Sequence, residues 1–188
     1  MFKQTLLAAA LTMGMGSVAL ANSYVIDTAG AHAAINFKAN HLGYSFLTGR
    51  FDTFEGEFEY DASNPEAGKV SVSIDANSIN SNHAERDNHL RSADFFDVSN
   101  HPTASFVSTG IKKTGDKTAV ITGDLTIRGV TKSVDIDATF IGEGKDPWGG
   151  YRSGFTGTTS IIPADFGMPH GVAKAPVELT LEVEGIKK

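Results

Sequence analysis

An all-β fold, an antiparallel sheet closed into a barrel with one short helix, is what this sequence predicts. Three observations carry it: apolar and polar residues alternate with period two from Ser23 onward, turn residues separate the repeats, and helical periodicity is scarce. Alternation sends successive side chains to opposite faces of a strand, so each such run has one apolar face to bury. About eight or nine runs can be read. An antiparallel sheet of that size closes or splits into a sandwich, because open edges invite aggregation. Closure is expected, since both terminal runs alternate strongly and each needs a partner.

Residues 1–21 stand apart from this pattern. Lys3 supplies a basic start, the run from Thr5 to Leu20 carries no charge, and it ends in Ala19-Leu20-Ala21. These are the marks of a cleaved secretory signal, in a run too short and too lightly flanked to span a bilayer well. The expected mature chain is 22–188, one domain in the periplasm. The sequence holds no cysteine, so in an oxidising compartment it has no disulfide, no thiolate nucleophile and no lipidated anchor. The net charge of −6 becomes −7 without Lys3, which repels phosphate backbones and makes nucleic acid an unexpected partner.

Along the remaining chain, Phe54, Gly56, Phe58 and Tyr60 alternate with Glu55, Glu57 and Glu59, giving a strand with one aromatic and one acidic face. Phe51 has the opposite parity to Phe54, so Asp52 and Thr53 are expected to hold a bulge that bends one long strand. Val70, Val72, Ile74 and Ala76 form the next inward face. Strands then follow over 104–113 and 119–127, joined by a hairpin at Gly115-Asp116. A second hairpin at Arg128-Gly129-Val130 leads to Val134, Ile136, Ala138 and Phe140. The last two runs are Tyr151 to Ile161, with small residues on its inward face, and Val177 to Val183.

One segment breaks the alternation. Asn82 followed by Glu85 has the form of a capping box, and Glu85/His89 and Asp87/Arg91 are spaced i,i+4. A short polar helix is therefore expected over 83–93, lying across an end of the barrel and tied down by Leu90, Phe95 and Phe96. His83 and His89 are six apart, project from different sides of a helix and cannot chelate together. Glu85 with His89 offers at most two ligands, so no metal site is assigned. No H-E-x-x-H, G-x-S-x-G, phosphate-binding loop or dinucleotide fingerprint is found in the mature chain.

The aromatic load at alternating positions is the remaining signal: Phe37, Phe46, Phe51, Phe54, Phe58, Phe106, Phe140 and Phe155. An eight-stranded barrel is wide enough to be filled by such rings or to hold one small ligand. From composition alone a packed core is the simpler account and a ligand space the alternative, which inward Gly and Ala favour. His41, Tyr44, Arg86, Arg91 and Trp148 fall near strand ends and loops, where a barrel has its mouth.

The blocks His41-Leu42-Gly43-Tyr44-Ser45, Asn82 to Asp87, His89 to Phe95, Thr122 to Thr126, Gly129 to Lys132 and Asp146 to Gly150 closely resemble the YceI family of periplasmic proteins. The resemblance runs over the whole mature chain. It implies an extended antiparallel eight-stranded lipocalin-like barrel whose tunnel holds a polyisoprenoid chain, as a quinone or prenyl phosphate, or another long-chain amphiphile. Binding without catalysis and without a cofactor is implied. The Phe set with Leu90 is then expected to line the tunnel, and His41, Tyr44, Arg86 and Arg91 to face the headgroup. Where relatives often carry a basic residue before the late Asp-Phe-Gly, this chain has Ala164 before Asp165-Phe166-Gly167. Transient membrane contact and homodimerisation stay open, as do the alternatives of an envelope interaction protein with a filled core and an isoprenoid-processing enzyme.

Overall fold

The computed structural model describes residues 21–169 and 171–188. Its strands are β1 (Asn22–Ile26), β2 (Ala34–His41), β3 (Ser45–Phe51), β4 (Phe54–Tyr60), β5 (Lys69–Asp75) and β6 (Ile79–Asn80), followed by helix α1 (Ala84–Arg91). Then come β7 (Thr103–Lys113), β8 (Thr118–Ile127), β9 (Val130–Lys145), β10 (Tyr151–Ile161) and β11 (Val177–Lys187). The eleven segments form eight long strands, because three strands are interrupted. β1 and β2 run in one direction along β11, with Ile26 opposite Gly185 and Ala34 opposite Glu182. β4 continues β3 in the same way, and β6 continues β5.

Each long strand pairs antiparallel with the next in sequence, and β1 pairs with β11 to close the sheet. The result is an eight-stranded up-and-down barrel without a through-going edge, the closure that alternation in the terminal runs called for. The expected bend at 52–53 is present: Asp52 N–H donates to Ser78 O at 3.1 Å, and Thr53 N–H to Ser78 Oγ at 3.0 Å. It lets Phe51 and Phe54, three apart, both face inward. At the β8–β9 hairpin Arg128 (φ 53°) and Gly129 (φ 72°) are both left-handed, as a two-residue turn of the tightest kind requires. Nη1 of Arg128 also donates at 2.6 Å to the carbonyls of Ala93 and Phe95, latching the chain after α1 to this turn.

The helix is shorter than expected and its cap lies one residue later. Asn82 is left-handed (φ 61°), a conformation that cannot cap, and its N–H donates to Asn80 Oδ1. His83 is the N-cap, with Nδ1 accepting from Arg86 N–H at 3.2 Å. Of the spaced i,i+4 residues, Asp87 bonds Ser81 while feeling the Arg91 charge, and His89 meets Asp94. Leu90, Phe95 and Phe96 do pack against the main core, as expected. The proposed export signal falls almost wholly on residues outside those described. Among the described residues no helix is long and apolar enough to cross a membrane.

Candidate functional site: an apolar lumen with a polar mouth

Among the described residues, three neighbouring spaces lie within the barrel. The largest of them, about 400 Å³, lies at the end bordered by α1 and by Pro163, Met168, Ala175 and Pro176. A central space of about 130 Å³ shares Ile35, Ile74, Leu125 and Leu179 with it. A third, about 160 Å³, lies toward the 61–68 and 114–117 turns and shares Val70, Ile121, Ala138, Phe155 and Val183 with the centre. The walls are almost wholly apolar, and these volumes, left between the packed side chains, form the lumen.

How a phenylalanine-rich barrel stays open is explained by glycine. Phe37 lies over Gly49, Phe106 over Gly123 and Phe58 over Gly185, so closely that a Cβ at each glycine would overlap the ring. Phe37 and Gly49 stand directly opposite in register. A ring laid flat in the space of a missing side chain covers the wall without filling the axis. At the far end Tyr24 stacks on Phe58 with centroids 4.8 Å apart, and Phe140, Phe155 and Tyr60 continue the cluster at 5.0–5.4 Å.

The structure brings most of the expected lining residues together. Phe37, Phe51 and Leu90 border the largest space, Phe54 and Phe106 the central one, and Phe58, Phe140 and Phe155 the third. Phe46 is a correction: it is 57% exposed on the outside of the barrel, under the Lys38 ammonium at 4.2 Å. Leu47, next in sequence, faces the lumen instead.

The expected headgroup contacts divide in two. His41 and Arg86 border the largest space at its mouth. Arg86 donates from Nε to Ser81 Oγ (2.7 Å) and from Nη2 to Ser81 O (2.6 Å), leaving Nη1 without a partner among the described residues. Tyr44 and Arg91 do not border the lumen, which corrects their expected placement. Tyr44 is 87% exposed at a hairpin tip. Arg91 spends its guanidinium on Asn77 O, Ile79 O and Asn88 Oδ1, tying the helix to the β5–β6 connection. Between the two arginines, Asp87 is buried and accepts from Ser81 N–H (2.8 Å) and Oγ–H (2.5 Å). Burial pushes its carboxyl up, but the Ser81 bonds and the Arg91 and Arg86 charges outweigh that and hold it below the usual range.

Sequence reasoning missed two polar groupings. Just after β1, Asp27 accepts from Arg152 Nη1 (2.6 Å), the His32 ring (2.9 Å) and Gly30 N–H (2.8 Å), and Arg152 also reaches Glu184 (2.5 Å) and Asp146 (2.9 Å). The Arg152 guanidinium, then His32 and Gly30, lower the Asp27 carboxyl to about 2. Asp27, His32 and Glu184 lie close enough to hold a metal ion, but Arg152 already places a cation between the two carboxylates. Trp148 sits over this guanidinium at 5.6 Å, away from the lumen. The second grouping surrounds the fully buried Tyr24, whose hydroxyl is pushed up to about 12 by burial and by the Glu143 carboxylate. Only long-range pairing assembles either group.

Fold and lumen define a closed antiparallel β-barrel of the lipocalin-like class, with an apolar axial cavity and a polar mouth. The chain belongs to the YceI-like domain family, whose model matches residues 24–185. It is 57% identical over 185 residues to a UPF0312 protein of Ectopseudomonas mendocina, covering 96% of this chain and 97% of that one. The crystal structure of the Campylobacter jejuni YceI protein is similar with a TM-score of 0.71 at 26% identity, covering 97% and 99% of the two chains. A structure described as a polyisoprenoid binding domain from Saccharophagus degradans shares the fold with a TM-score of 0.65 at 17% identity, covering 89% and 99%.

Proposed function

We propose that this chain is a periplasmic binding and carrier protein for a long-chain isoprenoid lipid, a polyprenyl phosphate or isoprenoid quinone, and that it has no catalytic role. The observation that carries this reading is the series of neighbouring apolar spaces along the barrel, lined by rings and aliphatic side chains. A series of this kind suits one extended chain, such as a polyprenyl tail, better than a compact ligand. The polyisoprenoid named for the Saccharophagus degradans domain supports it within a shared fold. In this reading the headgroup rests at the mouth by His41 and the available Nη1 of Arg86.

A tail leaving a bilayer exchanges one apolar surrounding for another, so the usual gain of about 0.8 kcal/mol per buried methylene is absent. Selectivity must then come from close packing along the lumen and from the head. Protein purified from its native envelope is expected to yield a stoichiometric isoprenoid on organic extraction and mass spectrometry. Recovery of lipid-free protein that also takes up no isoprenoid of any tail length would refute the reading.

A further inference from the structure

We propose that the tip of the β2–β3 hairpin, displaying Leu42, Tyr44 and Phe46, is a docking surface for a phospholipid bilayer, placed so that the lumen opens against the membrane. The proposal rests on the carrier reading and adds where the cargo crosses. β2 pairs with β11 only as far as Ala39, and the outer edge of β3 meets β6 only at Arg50 and Phe51. Residues 40–46 therefore project beyond the paired wall as a two-stranded hairpin end. The turn is held by Gly43 N–H on Asn40 Oδ1 (2.6 Å) and Tyr44 N–H on His41 O (3.0 Å). It places Leu42 in the left-handed region (φ 55°), a strained position for a leucine.

What the hairpin end displays is apolar. Leu42 is 65% exposed, beside Tyr44 and Phe46, and residues 40–48 contain no Asp, Glu, Lys or Arg. Lys38 and Arg50 stand at its root, but each is paired with a carboxylate, Glu178 at 3.1 Å and Asp52 at 2.6 Å. An exposed leucine beside exposed aromatic rings matches the boundary between headgroups and acyl chains. Leu42 also borders the mouth of the lumen, so tip and mouth form one continuous surface. Three side chains are far short of the roughly 800 Å² per partner that a stable protein interface buries. The net charge of −6 gives no general attraction to anionic lipid, so apolar insertion has to carry the contact.

The test compares delipidated protein with a Tyr44→Ser/Phe46→Ser double variant, neither residue bordering the lumen. Transfer of a fluorescent polyprenol between phosphatidylcholine vesicles is expected to slow about tenfold, the effect of losing a modest apolar burial. Affinity for the same probe in detergent should be unchanged, and transfer should vary little from about 0.1 to 0.5 M salt. Equal transfer rates for parent and variant would overturn the docking surface. So would a slowing accompanied by loss of a dimer in light scattering, which would assign the exposed β3 edge to a second copy. If the parent takes up no probe in detergent, the carrier reading fails by itself; flotation with empty vesicles then decides docking, upheld if only the parent floats and refuted if both or neither do.

Discussion

Gly123 and Phe106 show how single residues set the bore of the lumen. A methyl at Gly123 would overlap the Phe106 ring and come within 2.7 Å of the Val107 carbonyl oxygen, so the ring has to swing toward the axis. Gly123→Ala is expected to cost about 1–3 kcal/mol and to abolish binding of long tails while sparing short ones. Adding Phe106→Leu should recover part of both losses, read as non-additivity in urea unfolding and tail-length titrations. Phe106→Ala alone should cost less than the about 3–5 kcal/mol of a phenylalanine in a solid core, because one side of the ring faces open space. A full core-sized loss with unchanged tail affinity would remove Phe106 from the lining. At Asp27 the folded carboxyl titrates at about 2, below its ordinary 3.8. Its contribution is complete above the ordinary value and is lost as pH falls toward 2. The parent's Tm should therefore fall more steeply than that of Asp27→Asn between pH 4 and 2, and parallel curves would contradict this.

α1 illustrates an element held by polar contacts more than by burial. Of its eight residues only Ala84 and Leu90 are apolar, and Leu90 alone packs on the core. Its anchor is Ser81, which bonds Asp87 through both N–H and hydroxyl and also receives Arg86. Ser81→Ala leaves the buried Asp87 carboxylate without its hydroxyl donor, at a cost of about 1–3 kcal/mol. The loss should stay local, because the barrel strands are paired independently of the helix. Hydrogen exchange is expected to rise over 84–96 and to stay unchanged in β7–β11. A uniform rise would mean that the helix is integral to barrel closure. Since α1 covers the largest space, the same variant should also release bound isoprenoid faster.

At the scale of the whole molecule, one seam joins the two ends of the chain. β11 pairs with β1 at residues 185–187 and with β2 at residues 177–182, so neither terminal strand can form its final contacts before the other. Such non-local closure makes folding slow relative to local hairpins. β1 begins at Asn22, the residue at which the proposed export signal would be cut. N-terminal sequencing of protein recovered from the periplasm should start there. A full-length chain retained in the membrane fraction would instead argue against both the location and the soluble carrier.

Alternation by itself determined which face of most strands is buried: Phe54, Phe58 and Phe106 point inward while Glu55 and Glu57 point out. It also determined that the terminal runs need each other, and the polar i,i+4 spacing after Asn82 announced a helix. Those features are legible because period two and helical periodicity are properties of consecutive residues. Only the tertiary structure decided that the lumen is open, because a ring's resting place depends on which residue of a neighbouring strand stands beside it. Phe37 lies over Gly49 through register, and Phe58 reaches Gly185, more than a hundred residues away. The same dependence separates Arg86 from Arg91 once Asn77 and Ile79 present their carbonyls, whereas Phe46 and Leu47 part by alternation alone, Leu47 sharing the parity of Gly49 and Phe51. Asp27 and Arg152 are 125 residues apart and meet only because the sheet closes. Periodicity specifies a face, whereas closure and register specify the neighbour, and the cavity is made by neighbours.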